Sequence, residues 1–431
     1  MPKAKDLRVA LETEKTWPLF GTLYGTGPGV LEAQIARYAF LLNNFCSTFP
    51  VDGDVAFYST PGRTEVGGNH TDHNAGRVLA AAVDLNVVAV ASPTAESRIT
   101  IESQGYPQHT VELSDLEAKE SERYSSAALT RGVCARFRQL GYAVGGFNAC
   151  MTSRVLKGSG LSSSAAYEVM VATILNDLYN GGRVPDVEVA KLCQFSENNF
   201  FGKPCGLMDQ TTCQVGGFVT IDFKDFANPL VRKVNCDFSA SGYSMMIVDT
   251  GGSHADLNDD YSALEHEMKK VARALGGHVL REFTKERVLA ELPSLRGQLK
   301  NDRAILRALH FYDDDHRVVE EVAALEKGNF SEFLRLVVES GASSWRLCQN
   351  CYSHKDIEEQ GVSVALAVNE NLLKGKGAWR VHGGGFAGTI QAFVPKDMAA
   401  DYTLAMRKIF GTDSCHELMI RPLGSLRLDI V

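Results

Sequence analysis

Three glycine-rich segments, far apart and in fixed order, constrain this chain more than any other feature. They are Pro61-Gly62-Arg63 running into Gly68-Asn69-His70-Thr71-Asp72-His73-Asn74, then Gly158-Ser159-Gly160-Leu161-Ser162-Ser163-Ser164-Ala165-Ala166, then Gly383-Gly384-Gly385-Phe386-Ala387-Gly388. The second leads straight into a helical pattern, so free backbone N–H groups and a helix dipole can meet a phosphate there. A serine N-cap after a glycine turn explains such a loop equally well when it stands alone. No Gly-Lys-Ser/Thr triplet follows at Walker A spacing, and no His-Arg-Asp or Asp-Phe-Gly triplet of a protein kinase occurs downstream.

Around these segments the patterning alternates irregularly. Helical periodicity covers 5–14, 30–45, 125–140, 165–179, 187–200, 261–275, 302–311, 316–326 and 330–346, with a loop at 21–29. Strand patterns occur at 55–58, 76–92, 99–101, 110–113, 145–151, 216–222, 243–249 and 388–393. Without regular βαβ alternation, the expected class is α+β. A boundary falls near Asn228-Pro229, dividing the chain into an N-terminal helical extension at 1–50, a first domain at 51–228 and a second at 229–431.

The 431 residues, 45% hydrophobic and 22% charged, suit a globular chain of two or three domains. A net charge of −8 without a basic stripe argues against a nucleic-acid partner. No apolar run spans a bilayer and the N-terminus lacks a signal-peptide core, so no membrane partner and a cytoplasmic location are expected. Ten scattered cysteines fit reduced thiols. Cys348 and Cys351, with His354 nearby, have metal-like spacing, but no second pair completes a four-ligand site.

Glu197, on the helix ending before Gly202, and Asp209, behind Pro204-Cys205-Gly206-Leu207-Met208, follow the serine loop closely. Phosphoryl transfer uses one carboxylate to hold Mg²⁺ and another to take or orient the acceptor's proton. Arg63, Asn69, His70 and Asp72 are the short polar and charged groups that bind hydroxylated ligands.

Taken together, these residues resemble the galactokinase branch of the GHMP small-molecule kinases. Pro61-Gly62-Arg63 with Gly68-x-His70-Thr71-Asp72-x-Asn74 is similar to its sugar-site signature, and Gly158 to Ala166 to its ATP-phosphate motif. Pro204-Cys205-Gly206-Leu207-Met208-Asp209-Gln210 resembles the segment with its catalytic aspartate, and Arg380-x-x-Gly383-Gly384-Gly385-Phe386-x-Gly388 its third motif. His254 and Tyr261 keep the family spacing. The resemblance implies a two-domain fold with the active site in the cleft. ATP would lie on Gly158, Ser159, Gly160, Leu161, Ser162, Ser163, Ser164 and Ala165, with Mg²⁺ on Ser164 and Glu197. Asp209 would be the base or charge partner and Arg63 would stabilise the transferring phosphoryl. Asn69, His70, Asp72, Gly206 and Tyr261 would bind the sugar. A monomer or weak homodimer is expected.

Some positions depart from the family. It carries Gly-Glu-His-Thr-Asp-Tyr where this chain has Gly68-Asn69-His70-Thr71-Asp72-His73. Loss of that glutamate makes galacturonate and L-arabinose alternatives to galactose as the acceptor of a sugar 1-kinase. A silent sugar and nucleotide sensor is disfavoured by the intact serine loop, Arg63, Glu197 and Asp209. His382 and Ala387 also depart from the third motif.

Overall fold

The computed structural model describes residues 2–50, 53–156, 160–252 and 257–431, the side chain of Asn258 excepted. Gly158, Ser159 and His254 lie outside the described residues. In chain order the strands are β1 (Ala56–Gly67), β2 (Arg77–Pro93), β3 (Arg98–Ser103), β4 (His109–Glu112), β5 (Phe147–Ser153), β6 (Phe218–Asp222), β7 (Leu230–Val234), β8 (Tyr243–Asp249), β9 (Ala378–Val381), β10 (Thr389–Pro395), β11 (Cys415–Leu418) and β12 (Leu426–Leu428). An eight-stranded sheet runs β12-β1-β2-β5-β3-β4, with β6 on the first part of β2 and β7 on β6. A four-stranded sheet runs β11-β8-β10-β9. β3 joins β5 in parallel; the remaining pairs of the large sheet are antiparallel.

Period-2 alternation in β1 and β2 sorts their side chains onto two buried faces. Val55, Phe57, Val88 and Val90 face one way; Ala56, Tyr58, Ala89 and Ala91 face the other. Covering both faces is why residues 87–91 form an unbroken apolar run. Helices Ala4–Leu11, Trp17–Tyr24 and Val30–Thr48 form the first cover. Tyr38 is its anchor, with ring centroids 4.8 Å from Phe20 and 5.1 Å from Phe57, and its hydroxyl 2.6 Å from that of Tyr24. The extension is therefore a layer of the main core. Helices Ser126–Gln139, Ser163–Asn180 and Asp186–Ser196 cover the opposite face.

The small sheet alternates likewise. Met246, Val248, Ile390, Ala392 and Val394 meet helices Gly361–Leu373 and Ala399–Phe410. Met245 and Phe393 meet helix Phe330–Ser343, and their cluster also takes in Val66, Leu79, Ala81 and Phe218 of the large sheet. One apolar core thus spans both sheets.

Several elements differ from expectation. Residues 302–326 form one helix, Asp302–Glu326, because the acids that interrupt its apolar pattern are buried partners: Asp314 accepts from the Asn69 amide and Asp315 from the Arg77 amide. Helix Trp17–Tyr24, its Pro18 in the tolerated first turn, takes in residues 21–24 of the expected 21–29 loop. Gly361–Leu373, β7 and β9 are further elements. β1 runs on from the expected strand at 55–58 through Pro61-Gly62-Arg63, with a register shift between Pro61 and Gly62. β12 returns to pair with β1.

Replacing Tyr38 by Ala should cost about 3–5 kcal/mol in urea denaturation, the range for removing a fully buried aromatic. A loss below about 1 kcal/mol would contradict the extension's place in the core.

Candidate active site

The serine loop crosses β1 at Gly62. A Cβ there would lie 3.0 Å from the Leu161 carbonyl oxygen and 3.1 Å from that of Leu85, so the bare backbone lets the loop settle on the strand. The Arg63 amide then donates to Leu161 O at 3.2 Å. Gly160 (φ 72°) and Ser162 (φ 56°) are left-handed, and helix Ser163–Asn180 starts directly after them. Buried Leu161 and Ala165 fix the loop's inner side. The first-turn N–H groups at Ser163, Ser164 and Ala165 have no intrahelical acceptors, which makes this end an anion cradle.

Beside it stand Arg63 and Asp209. Arg63 Nε and Nη2 both lie 2.7 Å from Asp209 Oδ1. Ser162 Oγ donates to Asp209 Oδ2, and Arg63 Nη1 donates to Gly160 O. Burial works against the Arg63 charge, but the Asp209 carboxylate more than offsets it and raises the guanidinium pKa. Asp209 sits in the first turn of helix Met208–Val215. The side chains expected to perform chemistry are thus brought together with the phosphate loop.

Deeper in, Ser164 Oγ donates to Glu197 Oε1 at 2.8 Å, and Glu197 is 2% exposed. Gln210 Nε2 donates to Glu197 Oε2 at 3.0 Å and to Glu168 Oε1 at 2.8 Å. Glu168, one helical turn after Ser164, is fully buried; that burial, with the charge of Glu197, holds its carboxyl well above the usual range. Among the described residues, its Oε2 and Gln210 Oε1 are enclosed with no hydrogen-bond partner. Sequence reading passed over Glu168, though its spacing from Ser164 was the available signal. Hydroxyl and carboxylate oxygens are the hard donors that Mg²⁺ takes alongside water and phosphate oxygens, so this donor set fits that ion. Among the described residues no group of three His, Cys, Asp or Glu could hold a metal unaided. Cys348 and Cys351 are buried free thiols.

The first and third glycine segments clasp each other. His70 Nε2 lies 2.9 Å from Gly384 O, and Asn69 Nδ2 donates to Gly383 O at 2.8 Å. The Tyr261 hydroxyl donates to Gly385 O at 3.0 Å, and a Cβ on Gly384 would come within 2.4 Å of the Tyr261 ring. The Asp72 Oδ2 lies over Gly206, where a Cβ would sit 2.5 Å from it, and no described residue donates to that carboxylate. Burial and then the neighbouring His73 push the His70 pKa down to about 3. His382, at a departure from the family motif, is explained here: its ring nitrogens lie 2.9 Å from Thr64 Oγ1 and 2.9 Å from Thr389 Oγ1, tying β1 to β10.

Asn69 is fully buried and wholly engaged by protein. Its Oδ1 accepts from Asn350 Nδ2 at 2.8 Å and Ser344 Oγ at 3.2 Å; its Nδ2 also donates to Glu65 Oε1 at 2.8 Å. Arg380 Nη2 meets the same Glu65 oxygen at 3.1 Å. Burial pushes the Glu65 carboxyl up to about 7, with Arg380 opposing. Glu65 was missed from the sequence because it sits inside a strand; its spacing of two from Arg63 was the signal.

A model described as the GHMP kinases N terminal domain matches residues 128–217, and one described as the galactokinase galactose-binding signature matches residues 43–93. The galactokinase of Streptomyces coelicolor is 31% identical over 336 residues, 77% of this chain and 82% of that protein. That of Clostridium tetani is 28% identical over 353 residues, 80% of this chain and 85% of that protein. The crystal structure of Lactococcus lactis galactokinase complexed with galactose matches with a TM-score of 0.77 at 23% identity, covering 91% of this chain and all of that one. Methanococcus jannaschii mevalonate kinase matches with a TM-score of 0.59 at 16% identity, over 86% of this chain and 99% of its own.

Two outcomes follow from the site's geometry. Gly384→Ala forces Tyr261 aside and should destabilise by about 1–3 kcal/mol in thermal denaturation. His70 is neutral when folded, whereas the unfolded chain takes up its proton near pH 6.5. The stability tied to His70 is therefore complete above pH 6.5 and lost as pH falls towards 3. His70→Asn should flatten the stability-against-pH slope in that window by up to about 1.4 kcal/mol per pH unit. An unchanged slope in urea titrations would show that His70 does not drive it.

Proposed function

This chain belongs to the galactokinase family of the GHMP kinases, and on that footing we propose that it transfers the γ-phosphoryl group of ATP to the anomeric hydroxyl of galactose, with Arg63 and Asp209 at the reacting atoms. One observation carries this reading: Arg63 and Asp209, paired at 2.7 Å, are both hydrogen-bonded to the serine loop. A sugar-binding strand, a carboxylate and a phosphate cradle therefore converge on one point.

The chemistry follows from that convergence. Asp209 takes the proton of the anomeric hydroxyl as the sugar oxygen bonds to the γ-phosphorus. The bond to the bridging oxygen breaks and ADP leaves with that oxygen. Arg63, held by Asp209 and Gly160, keeps a fixed positive charge beside the transferring group. Such preorganised charge is the main contribution of a protein to phosphoryl transfer. The N–H groups at the start of helix Ser163–Asn180 would receive phosphate oxygens. Ser164 and Glu197 would hold Mg²⁺, which supplies charge neutralisation on the phosphates. His70, Asp72, Gly206 and Tyr261 would line the sugar.

The case for a uronate acceptor rested on a carboxylate missing at position 69. Glu65 supplies one within hydrogen-bond reach of Asn69 and already holds Arg380, so a uronate would bring a second carboxylate beside that ion pair. Galactose is the better match.

Asp209→Asn should lower kcat for galactose by about a hundredfold or more, the scale of a lost general base. Nucleotide titration should show ATP affinity changed by less than about threefold, since the phosphate cradle is main chain. An Asp209→Asn enzyme with near-normal turnover in an ADP-release assay would rule out the role given to Asp209.

A further inference from the structure

Glu65 is two residues from Arg63 on β1, so the two side chains lie on one face of the strand. The neighbouring residues point elsewhere: the Thr64 hydroxyl accepts from Gln391 Nε2 at 2.7 Å and meets His382. Glu65 Oε1 is fixed from two sides, by Asn69 Nδ2 at 2.8 Å and Arg380 Nη2 at 3.1 Å. Its Oε2 has no partner among the described residues. Nor is Oε2 one of the fully enclosed side-chain oxygens that lack a partner, and the side chain retains 9% exposure, the same as Arg63. Arg63 and Asp72, both expected at the active site, are among the charges that act on this carboxylate.

Asn69 cannot play this part itself. Both ends of its amide are taken by Glu65, Gly383, Ser344 and Asn350, and it has no exposed surface. Its Nδ2 instead orients Glu65.

We propose that Glu65 is a specificity-determining residue of the sugar site, its Oε2 accepting a hydrogen bond from one ring or hydroxymethyl hydroxyl of the acceptor while Asn69 and Arg380 hold its Oε1. A carboxylate thereby reaches the sugar site from strand position 65, with Asn69 as its support. This deepens the sugar-kinase reading above and rests on it.

The test pairs enzyme and substrate changes. kcat/KM is measured for galactose and its 2-, 3-, 4- and 6-deoxy analogues with the wild-type protein and with Glu65→Gln. The wild type should lose roughly 10- to 100-fold at the deoxy position whose hydroxyl meets Glu65, the scale of a hydrogen bond to a charged group. Glu65→Gln should lose at most about threefold at that same position, keep the wild-type losses at the others, and show its defect in KM more than in kcat. Unchanged kinetics in Glu65→Gln overturn the proposal, and so does an equal loss on galactose and every analogue, which marks a purely structural role. Should the variant not fold, a structure of the wild-type sugar complex decides: Glu65 Oε2 within about 3.2 Å of a sugar oxygen supports the proposal, and a separation above about 4 Å overturns it. Failure of the wild type to phosphorylate any sugar would instead overturn the sugar-kinase reading itself, so the two failures are distinguishable.

Discussion

Asn69 sits where the molecule's parts are fastened to one another. Its backbone N–H donates to Asp314 and its carbonyl accepts from His310, both on helix Asp302–Glu326. Its side chain reaches β1 through Glu65, the third glycine segment through Gly383, and the end of helix Phe330–Ser343 and beyond through Ser344 and Asn350. Leaving a buried polar group unpaired is costly, and every hydrogen-bonding atom of Asn69 has a partner. Because these partners come from opposite halves of the chain, the network can be satisfied in one relative placement of the two sheets. The clasp of His70 on Gly384, the seat of Tyr261 on Gly385 and the pose of Glu65 all depend on that placement.

Charge in the site is organised in matched pairs. Arg63 pairs with Asp209 and Arg380 with Glu65, so these two shielded cations each have a carboxylate. An incoming anionic nucleotide would meet the main-chain N–H groups at the start of helix Ser163–Asn180 beside the Arg63–Asp209 pair. Main-chain donors cost little to reorganise when the phosphoryl moves, which is the condition for electrostatic stabilisation of a transition state. The glycines have a corresponding geometric role: at Gly62 and Gly384 the lack of a Cβ sets how near the loop and the tyrosine come to the strand and turn.

Much of this was legible in the sequence, and the failures have physical causes. Arg63, Ser164, Glu197 and Asp209 stood out through motifs that resemble the galactokinase family's, and the structure brings them together around the serine loop. Glu65 and Glu168 did not stand out, since a lone acid inside a strand or helix has the same signature whether it faces water or a ligand. Asp314 and Asp315 misled in the opposite direction: acids in mid-helix read as an interruption, whereas Asn69 and Arg77 satisfy them from another element. The departure at Asn69 was visible, but its consequence was not, because the compensating carboxylate is a three-dimensional neighbour. The helical extension read as an addition to the fold. Only the two-sided burial of β1 and β2 shows it to be a layer of it.

The pairing of β12 with β1 also bears on how the protein is made. The Thr60 hydroxyl on β1 lies 2.6 Å from that of Ser425, whose codon is read 365 positions later. A ribosome therefore releases the first sheet with one edge unpaired and keeps it so while the whole small sheet and its helices are synthesised. Sequential maturation, one lobe finished before the next begins, is the ordinary habit of multidomain chains. Here the first lobe has to wait for the second, and the exposed edge of β1 is the surface that a nascent-chain chaperone would need to guard in the interval.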